Sequence, residues 1–423
     1  MEDRFQDKIK RDFSHSRIYI KMLLKWSFLS IISGIICGFI GAAFHYAVNY
    51  ATEIRLAHNW LIFFLPIAGL LIVFIYRQCG VKKDEGTNLV ISSIREKHDL
   101  PANMIVLIFI GTVLTHLCGG STGREGAALQ IGGSTGFLLG RIFHLDENEK
   151  RIITMSGMSA LFTALFGTPL AATVFSMEVI TIGMMEYAAF LPCILASMIA
   201  LAITNFLGIE EFAYTITSIP ELSLSNGLKI VVIAVSACLI SAIFVKGMQY
   251  TTTFFVQKFP NQYIRVLVGG VIVVLLTLLS GSNNYNGAGM DMINASFAGK
   301  IVWYACIVKI LFTIITMSSG FKGGEIIPSF FIGATLGNVL GSCMGMDISF
   351  AAAIGMICVF CCVVNCPTAS VMMSIELFGS TNVLYFAFAC AICFLLSGYF
   401  SLYSAQGFAQ SKRPLPVDDD AKS

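Results

Sequence analysis

Two stretches of this chain carry the same pattern: residues 167–179 read GTPLAATVFSMEV, and residues 365–377 read NCPTASVMMSIEL. They align without a gap and place prolines and glutamates at equivalent positions, Pro169 with Pro367 and Glu178 with Glu376. Because proline is favoured in the first turn of a helix, each stretch is predicted to begin a helix at its proline. A repeated apolar helix of this kind indicates that the chain contains one structural unit twice.

Glycine-rich breaks repeat at nearly the same spacing. The segment GREGAALQIG begins at Gly123, and the similar segment GGEIIPSFFIG begins at Gly323. Duplicated halves with interrupted helices are typical of secondary transporters, whose substrate site lies near the membrane midplane between the halves. The sequence therefore predicts the following units: an N-terminal segment (1–26), a first membrane repeat (27–207), a linker (208–225), a second membrane repeat (226–404) and a short tail (405–423).

The composition is that of a membrane protein. Of 423 residues, 56% are hydrophobic and 12% are charged, and the mean hydropathy is +0.79. Soluble domains usually carry about 25% charged residues. Apolar runs of about 20 residues suit bilayer spans. We therefore expect an all-α polytopic membrane protein surrounded by lipid, and the composition excludes a soluble, secreted, disordered or nucleic-acid-binding chain.

The charges are distributed unevenly, although the formal net charge is only +2. Residues 1–25 contain seven Lys and Arg residues, whereas residues 205–228 contain none and include Glu210, Glu211 and Glu221. By the positive-inside rule, this asymmetry places the N-terminus in the cytoplasm. We expect a multi-pass protein of the inner (cytoplasmic) membrane with both termini in the cytoplasm.

Two glutamates follow the glycine-rich breaks and are candidates for chemistry. Glu125 and Glu325 each precede an apolar helical run, so each should lie in the first turn of a half-helix. The free N–H groups and the positive dipole end there form an anion site. A carboxylate at that point can occupy the position of the anion, or can take up a proton and leave. The alternative for Glu125 is a simple N-terminal cap, which contributes about 0.5–2 kcal/mol.

Other polar residues within apolar runs are predicted to be structural. Glu178 and Glu376 lie at equivalent positions of the two halves, which suits symmetric hydrogen bonding. Lys309 could pair with a buried carboxylate or with backbone carbonyls, and His116 is expected to pack and donate a hydrogen bond. The thirteen cysteines lie mostly in apolar runs and are expected to pack as small apolar residues. No motif predicts a metal, a cofactor or an enzyme.

Four separated motifs resemble the CLC family of anion channels and proton-coupled antiporters. They are GREGAALQIGG (123–133), GTPLAATVFSME (167–178), SSGFKGGEIIP (318–328) and LYSA (402–405). The resemblance implies a homodimer whose subunits each contain two inverted-topology repeats, with half-helices that meet near the midplane. It also implies that Glu125 is the external gate and that Tyr403 donates its hydroxyl to the anion. The resemblance further implies that the anion is held by helix N-termini, which correspond here to Arg124, Gly126, Ile326 and Ile327.

Three differences from the chloride-type members indicate which branch of the family the chain resembles most. The segment that reads GSGIPE in those members is replaced here by GTNLVI (86–91), in which Thr87 and Asn88 keep side-chain donors and are expected to contribute to the anion site. Val179 stands where the inner proton-accepting glutamate is usual, and Glu325 stands where an apolar residue is usual. This combination is similar to the bacterial fluoride/proton antiporter branch of the family.

Fluoride chemistry gives a physical reason for the second carboxyl. Fluoride is small and strongly hydrated, so a site that removes its water needs short, strong donors, and a protonated carboxylic acid is one. We therefore predict a proton-coupled fluoride exporter that confers fluoride resistance, with fluoride and protons as its ligands. The alternative is a chloride-selective, proton-coupled exchanger or a chloride channel of the same fold. An intramembrane enzyme and a sodium-coupled carrier are weaker alternatives.

Overall fold

The computed structural model describes residues 2–81, 85–96, 98–209, 213–409 and 412, without the side chains of residues 2–16 and of residue 382. Glu210, Glu211 and most of the predicted tail (405–423) lie outside these residues. The helices are α1 (Glu2–Ala57), α2 (Leu65–Gln78), α3 (Thr87–Glu96), α4 (Asn103–Leu117), α5 (Glu125–Ile142), α6 (Glu147–Phe166), α7 (Pro169–Glu178), α8 (Phe190–Phe206), α9 (Leu224–Lys258), α10 (Gln262–Ser280), α11 (Met290–Ala298), α12 (Ala305–Ser319), α13 (Ile326–Met344), α14 (Ile348–Val364), α15 (Pro367–Phe378) and α16 (Val383–Leu396).

Short elements connect these helices. Three 3-10 helices cover Asn59–Phe64, Tyr187–Ala189 and Ser380–Asn382. Two short parallel strands, β1 (Thr181–Ile182) and β2 (Gly407–Phe408), pair with each other. The prediction of an all-α architecture is confirmed, with this small strand pair as the exception.

Apolar helices supply the membrane spans. Among the residues that the structure describes, six stretches are long and apolar enough to cross a bilayer: Arg17–Ala57, Asn59–Gln78, Tyr187–Phe206, Leu224–Lys258, Gln262–Ser280 and Ile326–Met344. Four more apolar helices, α4, α12, α14 and α16, are shorter. Helix α1 continues across residue 26 without a break, so the predicted N-terminal segment and the first span belong to one helix.

The helices of the two halves correspond in order. Helices α5 to α8 match α13 to α16, and the most extensive helix contacts are the equivalent pairs α5 with α6 and α13 with α14. Glycines bring each pair close together. A Cβ atom placed on Gly132 would lie 2.3 Å from the carbonyl oxygen of Gly157, and one on Gly333 would lie 2.4 Å from that of Gly355. Close packing through small residues is the usual mode of helix association in membranes.

Helices α7 and α15 show how the halves are related. The Glu178 carboxylate, at the end of α7, accepts hydrogen bonds from the backbone N–H groups of Thr368 (3.2 Å) and Ala369 (2.8 Å) at the start of α15. Glu376 of α15 accepts two bonds of 2.8 Å from the start of α7. Each helix end therefore contacts the beginning of its equivalent, so the two helices run antiparallel and the repeats are inverted. The predicted symmetric role of the two glutamates is confirmed.

Replacing Glu178 with glutamine is expected to destabilise the protein. The amide keeps one acceptor oxygen but loses the charge that faces the positive end of α15. Hydrogen bonds to charged groups contribute about 1.5–3 kcal/mol each, so the apparent midpoint of thermal unfolding in detergent should fall by several degrees. Glu147→Gln removes an exposed carboxylate that pairs with Lys150 and serves as the control. Equal midpoints for the two variants would contradict the capping role.

Candidate functional site

The two glycine-rich breaks meet at the centre of the molecule. Gly123 and Gly324 form an antiparallel bridge, with the Gly123 N–H 2.7 Å from the Gly324 oxygen and the Gly324 N–H 2.8 Å from the Gly123 oxygen. Helices α5 and α13 begin directly after this bridge, so their N-termini face each other. We call residues 122–126 and 323–327 the helix crossing. It concentrates free backbone N–H groups and two positive dipole ends, which favours an anion.

Glu125 is the first residue of α5, as predicted, and its side chain is fully buried. Its Oε2 atom accepts a hydrogen bond of 3.0 Å from the backbone N–H of Arg124. Its Oε1 atom lies 3.5 Å from the Arg124 Nε and has no hydrogen-bond partner among the described residues. The carboxylate therefore bends back onto the N-terminus of its own helix, which is where an anion would bind.

Glu325 occupies the N-cap of α13, one residue before the predicted first turn. Its carboxyl approaches the other half-helix, since a Cβ atom placed on Gly126 would lie 3.0 Å from the Glu325 Oε2. The carboxyls of Glu125 and Glu325 thus both lie at the helix crossing.

A cavity lies on each side of the crossing. The first cavity, of about 570 Å³, is lined by Glu125, Ile327 and the end of α1, and it reaches Gly208 at the start of the linker. The second, of about 380 Å³, is lined by Glu325, Ser404 and the last turns of α9. The last turns of α1 line the first cavity together with Gly208 at the start of the linker, and α9 begins at Leu224 near the end of the linker. The last turns of α9 therefore lie toward the opposite membrane face. The two carboxyls therefore line cavities that open to opposite faces.

Tyr403 lies in the loop that follows α16 and is 2% exposed. Its backbone N–H donates to the Ser401 hydroxyl, but its own hydroxyl has no partner among the residues that the structure describes. A buried hydroxyl without a partner is costly, so this group has a donor available for an anion at the crossing.

Thr87 and Asn88 begin α3 next to the crossing. The Thr87 hydroxyl donates to the carbonyl oxygen of Gly126 at 3.3 Å, so its proton is already used inside the protein. The Asn88 side-chain oxygen accepts from the backbone N–H of Ala405 at 3.0 Å, and Asn88 lines the second cavity. Asn88 therefore ties α3 to the loop that carries Tyr403.

The remaining predicted residues also lie at the crossing. Arg124 is the N-cap of α5, and Ile326 and Ile327 are the first two residues of α13, with their side chains buried. The Arg124 guanidinium donates at 3.2 Å to the Asn49 side-chain oxygen and lies 3.2 Å from a ring nitrogen of His45. Sequence reasoning missed these two α1 residues, because nothing local to α1 indicates that it borders the site.

Two buried basic residues have the partners expected of structural groups. The Lys309 ammonium donates to the carbonyl oxygens of Tyr285 (3.1 Å) and Gly287 (2.7 Å). A ring nitrogen of His116, Nδ1, lies 2.9 Å from the Thr112 carbonyl oxygen and acts as the donor there.

Three thiols from different helices form a cluster that the sequence did not indicate. The Sγ atoms of Cys238, Cys362 and Cys393 lie within 4.8 Å of one another, and all three residues are buried. Their separation along the chain hides the cluster, because local spacing motifs detect only ligands that are close in sequence.

Replacing Gly324 with alanine is expected to force the two chain segments apart at the helix crossing. The new Cβ would lie 2.2 Å from the backbone nitrogen of Gly126, and no side-chain rotation relieves a clash with backbone. If the chain transports fluoride, as the sequence predicts, the fluoride flux in liposomes should fall at least about tenfold, and the unfolding midpoint should also be lower. Gly227→Ala, on α9, where a Cβ would meet nothing within 4 Å, is the control and should behave as the wild type. Wild-type flux in Gly324→Ala would show that the two backbones need not approach so closely.

Comparison with known proteins identifies the class. The family model described as "Voltage gated chloride channel" matches residues 68–398, and the chain belongs to this family. A chloride/fluoride channel protein of Pseudomonas syringae pv. tomato is 34% identical over 405 residues, which cover 94% of this chain and 90% of that protein.

Solved structures agree with this assignment. The crystal structure of a CLC-type fluoride/proton antiporter is 34% identical, with a TM-score of 0.89 and coverage of 92% of this chain and 98% of that chain. A slow cyanobacterial Cl⁻/H⁺ antiporter is 18% identical, with a TM-score of 0.76 and coverage of 88% and 94%. The latter similarity shows the shared fold, and the predicted CLC-like architecture is confirmed.

Proposed function

We propose that the protein is a fluoride/proton antiporter that exports fluoride and confers fluoride resistance. The observation that carries this proposal is the presence of two carboxyl groups at one helix crossing, with Glu125 lining the first cavity and Glu325 the second. The names of two similar proteins, a chloride/fluoride channel protein and a fluoride/proton antiporter, support the choice of anion.

The anion is held at the crossing by groups that are strong donors. In this proposal the donors are the backbone N–H groups at the starts of α5 and α13 and the Tyr403 hydroxyl, which is buried without a partner among the described residues. A protonated Glu325 adds a short, strong O–H donor, which fluoride requires more than chloride does. An ionised Glu325 repels the anion, so proton and fluoride occupancy stabilise each other.

Glu125 couples the anion to the proton. Its carboxylate occupies the N-terminus of α5, so it competes with the anion for the same donors. Protonation removes the charge that holds the carboxylate there, and the side chain then leaves the position to the anion. Deprotonation reverses the exchange, so anion and proton move in opposite directions.

The first cavity opens to the outside in this proposal. The basic residues of the first 25 positions place the start of α1 in the cytoplasm, and the linker then lies outside. We accordingly propose that Glu125 is the external gate, with both termini in the cytoplasm of a bacterial inner membrane. We also propose a homodimer, the domain limits predicted above, and transport rather than enzymatic activity.

The alternative is a chloride-selective exchanger or channel on the same fold. It would use Glu125 and Tyr403 in the same way, but it gives no role to a carboxyl at position 325.

Reconstituted liposomes separate these functions. We expect a fluoride gradient to drive proton movement in the opposite direction, measured with a fluoride electrode and simultaneous pH recording. An equal chloride gradient should drive much less. Faster chloride-driven proton flux would favour the alternative, and anion flux without proton movement would indicate a channel.

Replacing Tyr403 with phenylalanine is expected to weaken anion binding while proton coupling persists. The variant loses one hydrogen bond to an anion, so the fluoride concentration for half-maximal flux should rise roughly tenfold. Tyr250→Phe changes a tyrosine of α9 that is 75% exposed and serves as the control. An unchanged half-maximal concentration would exclude the Tyr403 hydroxyl from the anion site.

A further inference from the structure

The first cavity contains an arginine that the mechanism above does not use. Arg55 lies in the last turn of α1, lines the cavity and is only 8% exposed. Its Nε atom is buried without a hydrogen-bond partner, and its guanidinium makes no hydrogen bond to any described residue. Within the described part of the chain, no carboxylate lies within 4.0 Å of it. A guanidinium is always charged, so this group is a buried cation that lacks a close counter-ion.

The surrounding backbone is shaped to accept this side chain. Gly119 and Gly287 both have positive φ angles, of 81° and 58°, and they face the guanidinium arm. A Cβ atom on Gly119 would lie 3.4 Å from the Arg55 Cδ, and one on Gly287 would lie 3.2 Å from its Nη2. The Asn286 side chain donates at 2.8 Å to the Gly119 oxygen and joins the two glycine segments. The arginine is therefore held in a defined pocket.

None of the charged groups around this pocket pairs closely with Arg55 among the described residues. Arg124 lies beside Glu125, but Lys309, beneath the 285–289 segment, is fully buried and donates only to carbonyl oxygens. Asp291 lines the same cavity and attracts Arg55 electrostatically, but it is an exposed residue and forms no ion pair with Arg55 at 4.0 Å or less. The C-terminal end of α1 carries only the partial negative charge of the helix dipole, which does not neutralise the guanidinium of Arg55. A buried guanidinium next to a water-accessible cavity attracts a mobile anion.

We propose that Arg55 binds a second halide ion in the first cavity, separate from the anion at the helix crossing. The guanidinium supplies both the hydrogen-bond donors and the positive charge. His116 is not assigned to the ion, because its Nδ1 donates to Thr112 and leaves Nε2 as an acceptor. The site holds an ion that has left the crossing or is about to enter it. The proposal rests on anion transport by the chain.

Anomalous diffraction from crystals of the wild-type protein soaked in bromide tests the site directly. We expect a peak within about 4 Å of the Arg55 guanidinium, in addition to any peak at the crossing. A peak at the crossing with none at Arg55 would overturn the proposal. This readout needs no variant and no proton coupling, so it is independent of whether the chain proves to be an antiporter.

Flux measurements test whether the ion matters for transport. Arg55→Gln should raise the fluoride concentration for half-maximal flux roughly tenfold at low salt, with little change in the maximal rate, because the local anion concentration falls. Arg55→Lys keeps the charge and should retain most of the wild-type value. Arg141→Gln, at the exposed end of α5, is the control. The proposed role of the charge would be overturned if Arg55→Gln kept the wild-type fluoride concentration for half-maximal flux. It would also be overturned if Arg55→Lys raised that concentration as much as Arg55→Gln does.

Discussion

Replacing Glu125 with glutamine is expected to abolish proton coupling. The amide is close in size to the protonated acid and stays neutral at every pH, so it cannot exchange a proton. Its oxygen can still approach the Arg124 N–H, but without a negative charge it no longer competes strongly with an anion for the start of α5. Proton flux driven by fluoride should fall by at least about 100-fold, whereas fluoride itself continues to pass.

The measurement is simultaneous fluoride efflux and pH change in reconstituted liposomes. Glu221→Gln is the matched control, because it removes an exposed carboxylate from the linker, away from both cavities. Normal fluoride-driven proton flux in Glu125→Gln would refute the gating role and would leave this residue as a structural cap of α5.

Replacing Glu325 with isoleucine is expected to shift selectivity toward chloride. The carboxyl lies against Gly126 at the start of α5, so its loss removes the strong O–H donor from the crossing. A hydrogen bond to a charged partner contributes about 1.5–3 kcal/mol, so the ratio of chloride to fluoride flux should rise at least tenfold. Chloride is less strongly hydrated and depends less on that donor.

The variant Glu325→Gln distinguishes the effect of the acidic group from the effect of the size and shape of the side chain. It keeps a donor of similar size but cannot supply or accept a proton, so fluoride selectivity should be partly kept while coupling is lost. Chloride and fluoride efflux measured side by side decide the result. If Glu325→Ile leaves the flux ratio unchanged, this residue does not belong to the selective site.

The two variants together distinguish the roles of the carboxyls. In the proposed mechanism Glu125 controls access to the crossing from the first cavity, and Glu325 controls which anion is stable there. A variant at position 125 should therefore change coupling more than selectivity, and Glu325→Ile should change selectivity strongly. Similar effects from both would indicate that the two groups act as one coupled acid.

The sequence was sufficient for features that depend on residues close together in the chain. Apolar runs predicted the membrane helices, and Pro169 and Pro367 marked the starts of α7 and α15 correctly. The glycine-rich breaks located both half-helix starts to within one residue, because capping and dipole effects act within a single turn. The matching positions of Glu178 and Glu376 indicated their shared role before any contact was known.

Other features were decided by packing between distant segments. The sequence offered Thr87 as a donor to the anion, but the fold places its hydroxyl on the Gly126 carbonyl. The meeting of three thiols and the pocket around Arg55 likewise join residues that lie on different helices. A side chain's partner is set by which surfaces the helices bury against each other, and that depends on the whole assembly. The local sequence therefore determined where the helices begin and which polar residues lie within apolar segments. Tertiary packing decided which hydrogen-bond donors remain available to an anion.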